Sequence, residues 1–210
     1  LDKLKKDFVG LSSLEHESVT MAFKAISTYD LALAEKVISA DDVIDAKEVE
    51  LEEDVLKIFA LHQPVAKDLR YLVALLKMNN DFERIADLAV NISKRVMLFN
   101  NQEGFILPNH VNEMTSKTSN MLSAVIDAVV NLDLDAARSI EAMDDEIDEL
   151  NSAIYDIVRK ELQKTDDFTD SFIHLLTVSR QVERIADHIT NICEDLIYML
   201  SGQIVRHQSL

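Results

Sequence analysis

Four pairs of acids are set apart by their spacing. Asp41/Asp45, Glu83/Asp87, Asp144/Asp148 and Glu183/Asp187 each lie four residues apart. On a helix that spacing puts both carboxylates on one face, one turn from each other. Like charges so placed cost an isolated helix about 0.2–0.5 kcal/mol. One such pair would mean little in a chain with 38 Asp and Glu. Two kinds of pair, each occurring twice at matching places, carry more weight. Carboxylates converging from neighbouring helices would offer oxygen donors alone, which suits Mg, Mn, Ca or Fe. Arg84 and Arg184 support a second reading, in which salt bridges neutralise the acids without any metal.

The matching places come from an internal repeat. Residues 72–92 align with 172–192 at an offset of 100, with 9 identities in 21 positions. Glu83-Arg84-Ile85-Ala86-Asp87 returns as Glu183-Arg184-Ile185-Ala186-Asp187, and Asn91-Ile92 as Asn191-Ile192. Earlier in each half the offset is 103, where Asp41-Asp42-Val43-Ile44-Asp45 meets Asp144-Asp145-Glu146-Ile147-Asp148. Asp30 and Ala34 recur as Asp133 and Ala137.

The elements that must position these acids are helices. The chain has 3 Gly and 2 Pro in 210 residues, too few turn formers for hairpins or sandwiches. Each half reads as three helices: about 3–28, 31–61 and 65–99, then 109–131, 134–164 and 169–201. Asp30 and Asp133 are expected N-caps, Pro64 suits the first turn of its helix, and Gly202 suits a C-terminal cap. A break near residue 40 is allowed for. The third helices carry stripes at alternating spacings of three and four: Leu75, Met78, Phe82, Ile85, Ala89, Ile92, Val96, Phe99, and Leu175, Val178, Val182, Ile185, Ile189, Ile192, Leu196, Met199. Such stripes make a long coiled-coil-like seam. The fold class is therefore all-α: two tandem three-helix bundles, elongated, end to end or side by side. The expected domains are 1–103 and 109–210, joined by a linker at 104–108 around Gly104 and Pro108.

The acids relate to these stripes in two ways. Glu83, Asp87 and Asn91 lie off the third-helix stripe, on an outer face. On the second helix the stripe runs Val37, Asp41, Ile44, Glu48, Leu51, Val55, Ile58, and its copy Ile140, Asp144, Ile147, Asn151, Ile154, Val158. Asp41 and Asp144 thus take seam positions, where an unpaired carboxylate is costly. They must meet water, a cation or a basic side chain.

Charge and composition exclude several functions. Lys and Arg number 21, giving a net charge of −17. That lacks the basic footprint that nucleic acid demands. The single Cys193 rules out a disulfide framework and reads as a packed thiol. No apolar run approaches the ~18 residues of a membrane span, and the N-terminus carries no apolar signal region. The expected location is the cytoplasm. No Glu-x-x-His, phosphate loop or nucleophile elbow occurs, and no catalytic constellation is found.

With the repeat laid out, the sequence resembles the PhoU family of phosphate-uptake regulators. The resemblance runs through His62-Gln63-Pro64-Val65-Ala66-Lys67-Asp68-Leu69-Arg70 into Asn80-Asp81-Phe82-Glu83-Arg84-Ile85-Ala86-Asp87. It continues in Val182-Glu183-Arg184-Ile185-Ala186-Asp187 and on to Gly202. Ala86 and Ala186 stand where the family often has Gly. The resemblance implies that Asp41, Asp45, Glu83, Asp87, Asp144, Asp148, Glu183 and Asp187 ligate divalent or multinuclear metal ions, Fe, Zn, Mn or Mg. It further implies a non-enzymatic negative regulator of phosphate uptake and of the phosphate-starvation response. Such a protein is an adaptor between the ATP-binding subunit of the phosphate ABC transporter and its phosphate-sensing histidine kinase. It would sit in the cytoplasm or peripherally at the membrane through these partners, and would often be a homodimer.

Two other readings stand beside it: an accessory protein of a different phosphate permease, and an all-α Mg-dependent nucleotide pyrophosphohydrolase. The second wants Glu-x-x-Glu followed by Glu-x-x-Asp. Glu50/Glu53 and Glu146/Glu149 give only the first part.

Overall fold

The computed structural model describes residues 2–99, 104–165 and 167–205. The expected domain limits at residues 1, 103 and 210 lie outside the described residues. Among the described residues seven helices follow one another: α1 (Asp2–Thr28), α2 (Leu31–His62), α3 (Ala66–Val96), α4 (Asn109–Asn131), α5 (Leu134–Glu141), α6 (Asp144–Leu162) and α7 (Thr169–Ser201). Helices α1, α2 and α3 pack on one another. In the second half α7 packs on α4, α5 and α6. The two bundles lie side by side, α3 against α7 and α1 against α4.

The turn between the first two helices is built alike in both halves. Asp30 Oδ1 accepts from the N–H groups of Ala32 and Leu33 at 3.0 and 3.1 Å. Asp133 Oδ1 does the same for Asp135 and Ala136, at 3.1 and 3.0 Å. Each satisfies amides that the helix leaves without carbonyl partners. The preceding residues, Tyr29 and Leu132, are both left-handed, with φ of 53° and 55°.

Two local expectations are corrected. Pro64 does not begin α3: the helix starts at Ala66, with Val65 as its N-cap. Pro64 instead stops α2, since its ring and missing N–H cannot continue a helix, and Gln63 before it turns left-handed at φ 46°. The allowed break near residue 40 is absent from the first half, where α2 runs unbroken through Leu31–His62. It falls at the matching place in the second half, Ala142–Met143, and splits the expected 134–164 helix into α5 and α6. Asp144 thereby stands in the first turn of α6 with Asp145 and Glu146, where a helix favours negative charge.

The stripes read from the third helices are the core. All sixteen residues named on them are buried. The seam between α3 and α7 also carries polar links. Arg70 Nε donates to the Met199 carbonyl at 3.1 Å, Lys77 Nζ to Asp195 Oδ1 at 3.1 Å, and His188 Nδ1 to Asp81 Oδ1 at 2.8 Å. These pairings climb α3 while descending α7, so the two helices run antiparallel. Gly202 closes α7 at φ 77°, and its N–H donates to the Tyr198 carbonyl at 2.9 Å. At the other end of the seam the link between the bundles packs through Phe105, whose ring meets Phe99, Phe168 and Phe172.

Candidate metal centre

In each bundle the four acids lie within electrostatic reach of one another. In the first, Asp41 and Asp45 come from the middle of α2, and Glu83 and Asp87 from the middle of α3. In the second, Asp144 and Asp148 come from α6, and Glu183 and Asp187 from α7. The acids feel one another electrostatically. Burial raises Asp41 above the ordinary carboxylate range, and the charges of Asp45 and Asp87 add to it. Glu83 is raised by burial and by Asp87. In the second bundle burial, then Asp148 and Asp187, push Asp144 up to about 7. Glu183 is raised by burial and Asp187, and Asp187 by burial and Asp148. Desolvation and crowding of like charge act in the same direction here.

Donors do not meet this excess of acceptors. Asp41 Oδ1, Asp144 Oδ1 and Glu183 Oε2 are buried with no hydrogen-bond partner. The salt-bridge reading is met in part. Arg84 reaches Glu83 at 3.4 Å and Asp87 at 3.5 Å, but from the exposed side. Arg180 takes the corresponding role at Glu183, at 3.4 Å. Exposed pairs of this kind contribute about 0–1 kcal/mol, so the inward-facing oxygens stay uncompensated. An oxygen-only donor set with orphaned acceptors fits a divalent cation. Among the described residues no three of the acids, histidines or cysteines already converge tightly enough to cage an ion. Loading would therefore require the side chains to close in.

The sequence reading missed one carboxylate. Glu15, on α1, is fully buried, and neither of its oxygens has a partner. Burial, then the charges of Glu48 and Glu83, raise it well above the ordinary carboxylate range. Its signal was present: Glu15 lies on the α1 stripe Leu4, Phe8, Leu11, Val19, Ala22, Ile26, all buried. Other residues behave as their surroundings dictate. Cys193 is fully buried, and burial pushes its thiol up. His174 meets the Phe99 ring edge-on. Glu50, Glu53, Glu146 and Glu149 are all exposed, and no second acid motif joins them.

No helix among the described residues is long and apolar enough to cross a membrane.

Known proteins resemble this chain along nearly its whole length. A homologue from Thermotoga maritima, named phosphate-specific transport system accessory protein PhoU homolog 1, is 32% identical over 204 residues, covering 97% of this chain and 88% of that protein. The crystal structure of PhoU from Pseudomonas aeruginosa superposes with a TM-score of 0.92 at 27% identity, covering 97% of this chain and 98% of that one. The phosphate transport system regulatory protein PhoU from Streptococcus pneumoniae gives a TM-score of 0.90 at 26% identity, covering 97% and 96%. The PhoU domain matches twice, at residues 9–96 and 111–196, once over each bundle and each acid quartet. The chain belongs to the PhoU domain family.

Proposed function

We propose that this chain is an accessory regulator of phosphate transport, and that it lowers uptake and silences the phosphate-starvation response when phosphate is ample. The full-length likeness to proteins named as phosphate-transport accessory and regulatory proteins carries this reading. In its finer form the chain is an adaptor between the ATP-binding subunit of a phosphate ABC transporter and a phosphate-sensing histidine kinase. A net charge of −17 on long helical faces suits docking to basic protein patches. No turnover is assigned to it.

Metal belongs to the same reading. Asp41, Asp45, Glu83 and Asp87 hold ions in the first bundle, and Asp144, Asp148, Glu183 and Asp187 in the second. The orphaned oxygens of Asp41, Asp144 and Glu183 support this assignment. A bound cation would neutralise the crowded charge and fix α2 to α3 and α6 to α7.

Deletion of the gene in its source organism tests the regulatory role. Phosphate-starvation genes are expected to be expressed even in high phosphate. Continued repression in the deletion strain would overturn the proposal.

A further inference from the structure

The two bundles differ just inside their acid quartets. The turns Thr28-Tyr29-Asp30 and Asn131-Leu132-Asp133 correspond, so the offset of 103 extends back into α1 and α4. The buried residues agree: Phe8, Leu11, Ser12, Val19, Ala25 and Ile26 match Val111, Met114, Thr115, Leu122, Ala128 and Val129. Glu15 therefore corresponds to Thr118, Glu48 to Asn151, and, on the third helices, Asn79 to Ser179.

In the second bundle this trio satisfies itself. Thr118 Oγ1 donates to the Met114 carbonyl at 3.0 Å, and Ser179 Oγ donates to Asn151 Oδ1. Every member is neutral. In the first bundle two of the three positions are carboxylates. Asn79 Nδ2 donates to Glu48 Oε1 at 2.8 Å, but Asn79 Oδ1 is buried without a donor. Both oxygens of the fully buried Glu15 are likewise without one. The charges acting on Glu15 are Glu48 and Glu83, both negative. Three buried acceptor oxygens from two helices thus have no hydrogen to receive, and an unpaired buried charge is strongly unfavourable.

We infer that the first bundle holds one more divalent cation than the second, seated inward of the Asp41/Asp45/Glu83/Asp87 quartet. Its ligands would be Glu15, Glu48 and the Asn79 carbonyl oxygen, with Glu83 shared between the inner and outer positions, and as at the quartets these side chains must close in to cage the ion. Carboxylate and amide oxygens make this a hard-ion site, suited to Mg or Mn. The inference rests on the proposal that the two quartets bind metal, and it adds an asymmetry that the repeat alone would not produce.

The test is a count of ions. The full chain is stripped with chelator, reloaded with Mn²⁺ alone, dialysed and analysed for Mn per chain. Glu15→Gln and Glu15→Thr, the latter installing the second bundle's own residue, are each expected to lose one Mn per chain. Circular dichroism checks that the variants fold. If either does not, Glu48→Gln, at a half-buried position, is expected to show the same loss. An unchanged Mn count in the folded variants overturns the inner site, and Glu15 is then a protonated core acid. The quartets are read separately: if Glu83→Ala with Glu183→Ala still lowers the count, they stand without the inner ion. A wild-type chain that takes up no Mn²⁺ overturns the quartets and the inner site together.

Discussion

His188 on α7 donates to Asp81 Oδ1 on α3 at 2.8 Å, and Asn191 donates to the same oxygen at 3.3 Å. This node joins the two bundles, and the repeat does not copy it. The offset of 100 that relates α3 to α7 would pair Gln181 with Leu88, which cannot form the link. Asp81→Ala should therefore leave two donors at the seam without an acceptor and cost about 1–3 kcal/mol. Urea unfolding followed by circular dichroism would show a lowered midpoint. Gln181→Ala, at the corresponding place, should move it less. Equal effects would mean that the node contributes nothing specific.

The metal-free chain should lose stability as pH rises. Asp144, ordinarily near 3.8, is pushed up to about 7 in the fold. Asp41, Glu83, Glu183 and Asp187 shift the same way. The folded state then binds more protons than the unfolded state between roughly pH 4 and 7, so unfolding free energy falls across that window. Chelator-treated protein should show a Tm that declines towards about pH 8, and Asp144→Asn should flatten the decline. Added Mn²⁺ should raise Tm more at the alkaline end, because ligands must shed protons to bind. A Tm that climbs with pH in chelator would contradict this account.

Glu83→Ala with Glu183→Ala removes one acid from each quartet at half-buried positions. Metal content by elemental analysis should drop while the helical spectrum persists. Metal content equal to wild type would mean that these glutamates are not ligands.

Asp30→Ala removes the acceptor for two amides at the start of α2. A cost of about 1 kcal/mol is expected, and Asp133→Ala should cost the same at α5. Thermal unfolding of the two variants against wild type measures both. A change in only one half would show that the other helix start is held by its packing.

Gly10 lies exposed inside α1, and a Cβ built there would meet nothing within 4 Å. Gly10→Ala should therefore stabilise the chain by about 0.5–1 kcal/mol, from helix propensity alone. A lower Tm would mean that this surface needs the bare backbone.

The bundle cores were legible because their signal is long. The stripes on 75–99 and 175–199 keep their phase over three heptads, and nothing but a buried helix face explains that. The acid quartets were legible because the repeat showed them twice. Glu15 was passed over although it lies on the α1 stripe: it occurs once, and its copy Thr118 hides it from any search for repeated acids. The break at Ala142–Met143 was invisible to propensity, since Ala and Met both favour helix. The trace it leaves is the run Asp144-Asp145-Glu146, which suits a helix start. Pro64 was misplaced because it suits a helix start in general, whereas here it ends the helix before it.

The antiparallel seam also sets an order of assembly. Its polar links join residues 107, 118 and 129 apart in the chain, while each bundle closes largely on its own neighbours. Local contacts form first and distant ones last. On the ribosome the first bundle emerges with the face of α3 that carries Arg70, Lys77 and Asp81 uncovered, and its cover, α7, is still to be made. At about 5–20 residues per second, the roughly hundred residues that separate them leave that face bare for about 5–20 seconds. This interval is when the nascent chain is most open to wrong pairing, including α3 of one chain with α3 of another.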